Sequence, residues 1–408
     1  MHALDFIIAA VFSKLGPYRL WRLAQSIKRR NPALYSNLFE YFLSADWPDK
    51  PIGEDFLRKY LGDHKSRLAV RMPLENDMGA PEIDEIPSET TPAERRLLYV
   101  LFRFVWCGVG NVFEVGPFLG GTTRAIALGM DANPRRSPSA RLVTADKFTD
   151  YYDAAALANY LKPLIEKGVL TCVDRHAIGE RGRFREIFDR IHRPHPYAQF
   201  LQVMDAVLPD LPEQLSGGGP FIDLAPIAPV DAFFIDGCKS WFGTKYMLKQ
   251  AARAASPGAW FIFQDYGMYT CFWIPACVYL LRDQFRLLLY TDCTYVWALE
   301  RPFSEADVDA AIPDRAEDVP DDVFRRMFED LEQEARRRED RRSIVVYPAQ
   351  YAATCAYRGD KDRARRLLDD LKTKPAALGY EDLLDRVRRA PTYRPVPGGT
   401  GWETITLD

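Results

Sequence analysis

Between Asn111 and Glu300 the chain alternates short apolar runs with amphipathic ones, and that alternation leaves few folds open. The runs "NVFEV", "RLVTAD", "VLTCV", "VDAFFID" and "AWFIFQD" read as strands. Between and after them, "TTRAIALGM", "DAAALANYLKPLIEKG", "RFREIFDRI", "GTKYMLKQAARAA" and "IPACVYLLRDQ" read as helices. Strands that are apolar on both faces need cover on both faces, and intervening helices supply it. The pattern predicts an α/β fold with a mostly parallel sheet. "FRLLLYTDCTYVWALE" then predicts two strands joined at "TDC", a C-terminal antiparallel hairpin that closes the sheet.

Around this centre the chain divides into three parts. Residues 1–90 read as an N-terminal helical region, 91–303 as the α/β domain, and 304–408 as a helical extension with a tail. Thr91-Pro92-Ala93-Glu94 is a capping box that opens the helix "RRLLYVLFRFVW". The proline- and glycine-rich stretch at about 192–229 breaks the alternation and reads as an insertion, either a lid or a decoration. In the extension, "YPAQYAATCAYRGDKDRARRLLDDL" predicts one helix–turn–helix unit of tetratricopeptide type, and "YRPVPGGTGWETITLD" an extended tail.

Composition excludes several classes. Of 408 residues 47% are hydrophobic, enough for a real core, and the net charge is only -3. A dedicated nucleic-acid binder would carry a basic excess, so no nucleic-acid partner is expected. Seven scattered cysteines form no CxxC pair, so a reducing cytoplasm is the simple reading. His192 and His195 in "HRPHP" read as a surface loop rather than a metal site. The apolar run in "MHALDFIIAAVFSKLG" is too short to span a bilayer. The basic "PYRLWRLAQSIKRR" predicts an amphipathic helix packed on the protein or on a second copy, a homo-oligomer, with membrane-surface contact as the alternative.

The chemistry begins in "NVFEVGPFLGGTTRAIALG". Gly116 allows a tight turn where the first strand ends, and Gly120 and Gly121 allow close backbone approach before a helix whose first amides are free. Thr122 opens that helix. The next strand ends in Asp146, placed to accept hydrogen bonds from ribose hydroxyls, so an adenosine-containing cofactor is expected at the strands' carboxyl ends. A dinucleotide site wants GxGxxG, whereas here Glu114 stands directly before the turn. A carboxylate there repels pyrophosphate and suits a cofactor with an amino group or sulfonium, which points to S-adenosylmethionine.

"VFEVGPFLGGTT", "VTADKF" and "VDAFFIDGCKSWFGTKYMLKQAARAASPGAWFIFQDY", followed by the hairpin, resemble class I S-adenosylmethionine-dependent methyltransferases over residues 95–300. They are most similar to the macrolide-sugar and polysaccharide O-methyltransferase group. The resemblance implies a Rossmann-like sheet and a sugar or small-molecule hydroxyl as acceptor. It implies that Glu114, Gly116, Gly120 and Thr122 serve the methionine end of the cofactor and Asp146 its ribose. It also implies Mg²⁺ on Asp236 and Asp265, as in metal-dependent members. Several relatives carry histidine where this chain has Lys239; Asp-x-x-Lys is similar instead to catechol-type enzymes, where the lysine is the proposed general base. Lys239 as base and Lys239 as a surface residue at a helix start both stand, with Asp236 beside it. Tyr266 follows Asp265 where metal sites often add an acid or amide. Trp241, Phe242, Tyr266, Tyr269, Phe272 and Trp273 are expected near the same edge, as acceptor platform or as core. An NAD- or nucleotide-sugar-dependent Rossmann enzyme and a non-catalytic binding module are the alternatives.

Overall fold

The computed structural model describes residues 70–71, 81–149, 151–171, 178, 182–338, 340–377, 379–398 and 401–407. The expectations for the N-terminal helix and its contacts lie outside these residues. Eight strands form the main sheet: β1 (Val70–Arg71), β2 (Asn111–Val115), β3 (Leu142–Asp146), β4 (Leu201–Asp205), β5 (Val230–Ile235), β6 (Ala255–Phe263), β7 (Phe285–Thr291) and β8 (Thr294–Leu299). Their order is β1-β7-β8-β6-β5-β2-β3-β4. Every neighbouring pair is parallel except those of β8, which runs antiparallel to β6 and β7. The chain moves outward from β2 to β4, then crosses back to β5 on the other side of β2. That reversal lies between β2 and β5, where doubly wound sheets bind ligands.

The strand in "VLTCV" is a correction. Val169, Leu170 and Thr171 are not in a strand, and Cys172 and Val173 lie outside the described residues. The outer strand is β4, inside the stretch expected to be an insertion. An edge strand has one unpaired side, and none of the five β4 residues is fully buried. With little apolar pressure on it and prolines before it, the segment looks like a loop.

Helices α1 (Pro92–Val100), α2 (Gly121–Asp131), α3 (Ala154–Glu166), α4 (Arg185–His192), α5 (Trp241–Ala254) and α6 (Trp273–Leu280) cover the sheet. The capping box of α1 forms as expected. Its Glu94 does more: one carboxylate oxygen accepts from the Cys293 amide and the Thr294 hydroxyl, both at 3.0 Å. The cap of α1 therefore also ties down the β7–β8 turn.

The extension holds α7 (Glu305–Ala311), α8 (Asp321–Arg337), α9 (Arg341–Tyr357), α10 (Lys361–Lys372) and α11 (Glu381–Arg389). Helices α9 and α10 are the expected helix pair, turning at Gly359 with φ +90°. The apolar core runs unbroken across residue 303: Trp241 and Phe272 both lie against Phe324 of α8. The expected extended tail is also corrected. Residues after α11 fold back as an antiparallel hairpin, β9 (Thr392–Pro395) with β10 (Trp402–Ile405). Among the described residues, no helix is long and apolar enough to cross a membrane.

Candidate active site

The parallel ladders continue one residue past the strand ends. The amides of Ala206, Gly116, Asp236 and Gln264 donate to Asp146, Ala145, Val115 and Ile235 carbonyls at 3.0–3.1 Å. This brings Asp146, Gly116, Asp236 and Gln264-Asp265 side by side along one edge, in the order β3, β2, β5, β6. A cavity of about 730 Å³ opens over them. Gly116, Thr122, Asp146, Asp236, Lys239 and Asp265 all line it. That volume suits a small-molecule site.

Gly116 has φ +84°, a left-handed conformation, and a Cβ there would stand 2.8 Å from the Gly237 nitrogen. The β2 and β5 loops can meet only because both carry glycine at this point. Asp146 accepts from the Phe148 amide at 2.9 Å and the Phe118 amide at 3.4 Å. Both phenylalanines are left-handed, at φ 50° and 52°, so the carboxylate holds two strained turns in place. Each carboxylate oxygen keeps a second lone pair for a ligand hydroxyl. Burial pushes the Asp146 carboxyl up, against the two amides that favour its charge.

Glu114 and Gly120 do not meet the cavity. Glu114 is fully buried, and its two oxygens accept from the Thr122 and Thr123 hydroxyls at 2.6 Å each. It clamps the start of α2 onto β2, and burial pushes its carboxyl up. Gly120 is left-handed at φ +89°, and a Cβ there would lie 1.9 Å from His192 Nε2. At Gly121 the nearest atom would be Ser88 Cβ, at 2.6 Å. What approaches these two glycines is protein. His192 lies between Tyr197 Oη (2.9 Å) and the Leu119 carbonyl (3.2 Å), and burial pushes its imidazole down to about 3. It is a neutral core histidine, not part of a surface loop.

Lys239 lies between two acids. Its Nζ donates to Asp265 Oδ2 at 2.6 Å and to Asp236 Oδ1 at 3.2 Å. Burial opposes the ammonium charge, but Asp265 and Asp236 outweigh it and hold the lysine well above its ordinary range. With both acids in contact the ammonium form of Lys239 is favoured, and the side chain is not a free surface residue. Asp236 is the group poised near neutrality: burial, only partly offset by Lys239, pushes its carboxyl up to about 7. Asp265 has φ 63°, so its position depends on backbone that acids tolerate better than most residues.

Asp236 and Asp265 do not fit a Mg²⁺ ion. The ammonium already takes both carboxylates, and a divalent cation would have to displace it at close range. Among the described residues, no group of three or more His, Cys, Asp or Glu converges on a point. Tyr266, the next residue, points the other way and stacks on Tyr295 at 4.6 Å.

None of the six expected aromatics lines the cavity; Trp241, Tyr266, Phe272 and Trp273 are at most 2% exposed and belong to the core. The aromatic walls are Phe118 and Tyr151 on one side and Tyr393 and Trp402 on the other. Glu89, which accepts from the hydroxyls of Tyr151 and Tyr152, and Asp210, whose carboxyl burial pushes up to about 6, are further lining acids. The polar–apolar alternation in "WETITL" was the available signal for Trp402.

A sheet of this order, with its antiparallel β8 and a cavity over the β2–β5 switch point, is Rossmann-like, and the chain resembles class I methyltransferases in this fold. No protein-family model matches the sequence, and no curated protein matches it. Among solved structures it is similar to the O-methyltransferase NovP, with 18% identity over 47% of this chain and 72% of that one, at a TM-score of 0.31. It is also similar to an O-methyltransferase from Bacillus cereus in complex with SAH (15% identity, 48% and 64% covered, TM-score 0.25). A third is TomG from Streptomyces achromogenes, involved in tomaymycin synthesis and bound to SAM (18%, 44% and 58%, TM-score 0.24). The matched region spans less than two thirds of the latter two chains.

Proposed function

We propose that the chain is an S-adenosylmethionine-dependent methyltransferase acting on a hydroxyl of a sugar or other small molecule. The observation that carries this reading is that the Gly116 turn and Asp146 open into the same cavity as the Asp236–Lys239–Asp265 cluster. Gly116 would leave room for the cofactor at the loop, Thr122 would border it, and Asp146 would accept from ribose hydroxyls. Bound S-adenosylmethionine supplies an electrophilic methyl group and leaves as a neutral thioether. Asp236 takes the proton of the acceptor hydroxyl, which is the base's task at a pKa near the working pH. Lys239 stays charged, positions Asp236 and keeps its ionised form accessible. The acceptor oxygen thus loses a proton to Asp236 and gains the methyl. The scattered cysteines, with no CxxC pair, support a cytoplasmic setting, and the basic, aromatic N-terminus supports self-association.

The reading is tested by incubating the full chain with methyl-labelled S-adenosylmethionine and a small-molecule extract. Label is expected in a low-molecular-weight product, at a rate that EDTA leaves unchanged. Absence of transfer to every fraction, or label loss on chelation, would count against it.

A further inference from the structure

The C-terminal hairpin is not part of the expected α/β domain, yet it forms a wall of the cavity. Tyr393, Trp402 and Thr404 line it. These three share one face: Tyr393 pairs with Thr404 across the hairpin, and Trp402 is two residues from Thr404 on the same strand. The opposite face carries the Arg394–Glu403 pair, which is exposed. An isolated two-stranded hairpin is marginal alone, so its position depends on anchors. Thr392 Oγ1 donates to the Thr270 carbonyl at 2.8 Å, and the Tyr393 ring meets Trp273 edge-on at 5.2 Å. The loop after β6 is itself held from behind, because fully buried Gln350 of α9 donates to the Tyr266 and Met268 carbonyls at 3.0 and 2.8 Å. Hairpin, loop and helix form one supported wall.

Its place along the edge says which ligand it meets. The order along the edge runs Asp146, Gly116, Asp236, Asp265, and the loop after β6 then carries Thr270 and Cys271, which meet the hairpin. Strands are spaced about 4.8 Å apart, so Asp146 and Asp265 are separated by three spacings, about 14 Å. The hairpin is anchored on the loop after β6, so it borders the cavity beside the proton-accepting cluster, at the Asp265 end rather than the Asp146 end. Trp402 is 39% exposed and meets Tyr393 edge-on at 5.3 Å. A large aromatic left uncovered beside two threonines is built to receive a ring bearing hydroxyls. Charge narrows the class further. Five lining acids, Glu89, Asp146, Asp210, Asp236 and Asp265, face two lysines, Lys147 and Lys239. Such a field disfavours phosphorylated or otherwise anionic ligands.

We propose that the β9–β10 hairpin is the acceptor wall, with Trp402 stacking on a neutral or cationic hydroxylated ring and excluding phosphorylated ones. This rests on the methyltransferase reading for its assignment of the other end to the cofactor. The test is saturation-transfer NMR on the full chain with excess S-adenosylhomocysteine. Three probes are compared: a phenyl glucoside, its 2-amino analogue and its 6-phosphate. Transfer is expected to the first two and not to the phosphate. Trp402→Ala should weaken the first two roughly ten-fold, Trp402→Phe should largely restore them, and S-adenosylhomocysteine affinity should be the same in all three proteins. Unchanged transfer in Trp402→Ala, preference for the phosphate, or no transfer from the wild-type chain would overturn the proposal. Failure of the wild-type chain to bind S-adenosylhomocysteine would strike the cofactor reading instead. The same probes on the unliganded chain would still decide for or against the hairpin.

Discussion

Asp236→Asn is expected to lower turnover roughly 10²–10⁴-fold, the usual contribution of a general base, without loss of cofactor binding. The amide is nearly isosteric and its oxygen can still accept from Lys239, so the loop should keep its shape. The pH profile makes the prediction specific. A base works only when ionised, and burial pushes the Asp236 carboxyl up to about 7. Wild-type rates should therefore rise with pH through about 7 and then level off. In the asparagine variant, the residual rate should lack that limb. Initial rates measured from acid to alkaline pH decide the matter: a variant that keeps the same limb would show that another group takes the proton.

Lys239→Met should give a different signature. Loss of the ammonium leaves Asp236 buried beside Asp265, so burial and the neighbouring acid both oppose its charge with nothing to offset them. Removing an opposite charge at this range moves a carboxyl up by about 1–3 pH units. The rising limb should shift to higher pH by that amount, lowering the rate at neutral pH by roughly 10–10³-fold with recovery in alkali. Lys239→Arg keeps the cation and should leave the limb near its original place. Were the lysine itself the base, Lys239→Met would lose the limb with no alkaline recovery. Thermal melts of both variants separate this effect from unfolding.

These two substitutions also mark where sequence and structure part company. The Asp-x-x-Lys spacing puts Lys239 near Asp236, in the loop just before the Ser240 cap of α5. Its protonation depends on Asp265, which comes 26 residues later and reaches it only because β6 lies next to β5. Spacing within one loop carries no information about a charge on the neighbouring strand. Glu114 is the same kind of case. The sequence places an acid before a glycine turn, but whether it faces a ligand or the protein depends on where α2 lies. Folded back over β2, α2 brings two threonine hydroxyls onto that acid.

The strands that the sequence makes plain are those buried on both faces, since burial demands continuous apolar runs. β2, β3, β5 and β6 are such strands, and Gly116, Asp146, Asp236 and Asp265 follow from knowing where they end. β4 and the β9–β10 hairpin are less buried, flanked by proline or glycine, and carry mixed residues. Their local pattern is weak, and their position comes from long-range contacts. The aromatics of "SWF" and "QDYGMYTCFWIP" left acceptor platform and core both open in the sequence, and the structure puts them in the core. Large rings beside a site are as useful to the core as to a ligand, and the C-terminal helices bury them.

The central claim is that the cavity over the β2–β5 switch point holds an S-adenosyl cofactor. Calorimetric titration of the full chain with S-adenosylhomocysteine tests it most directly. One saturable site is expected, weakened by about 1–3 kcal/mol in Asp146→Ala because a charge-assisted hydrogen bond is lost. NAD should give no heat. A wild-type chain that shows neither heat nor a rise in melting temperature at saturating S-adenosylhomocysteine, or that binds NAD in its place, would contradict the account.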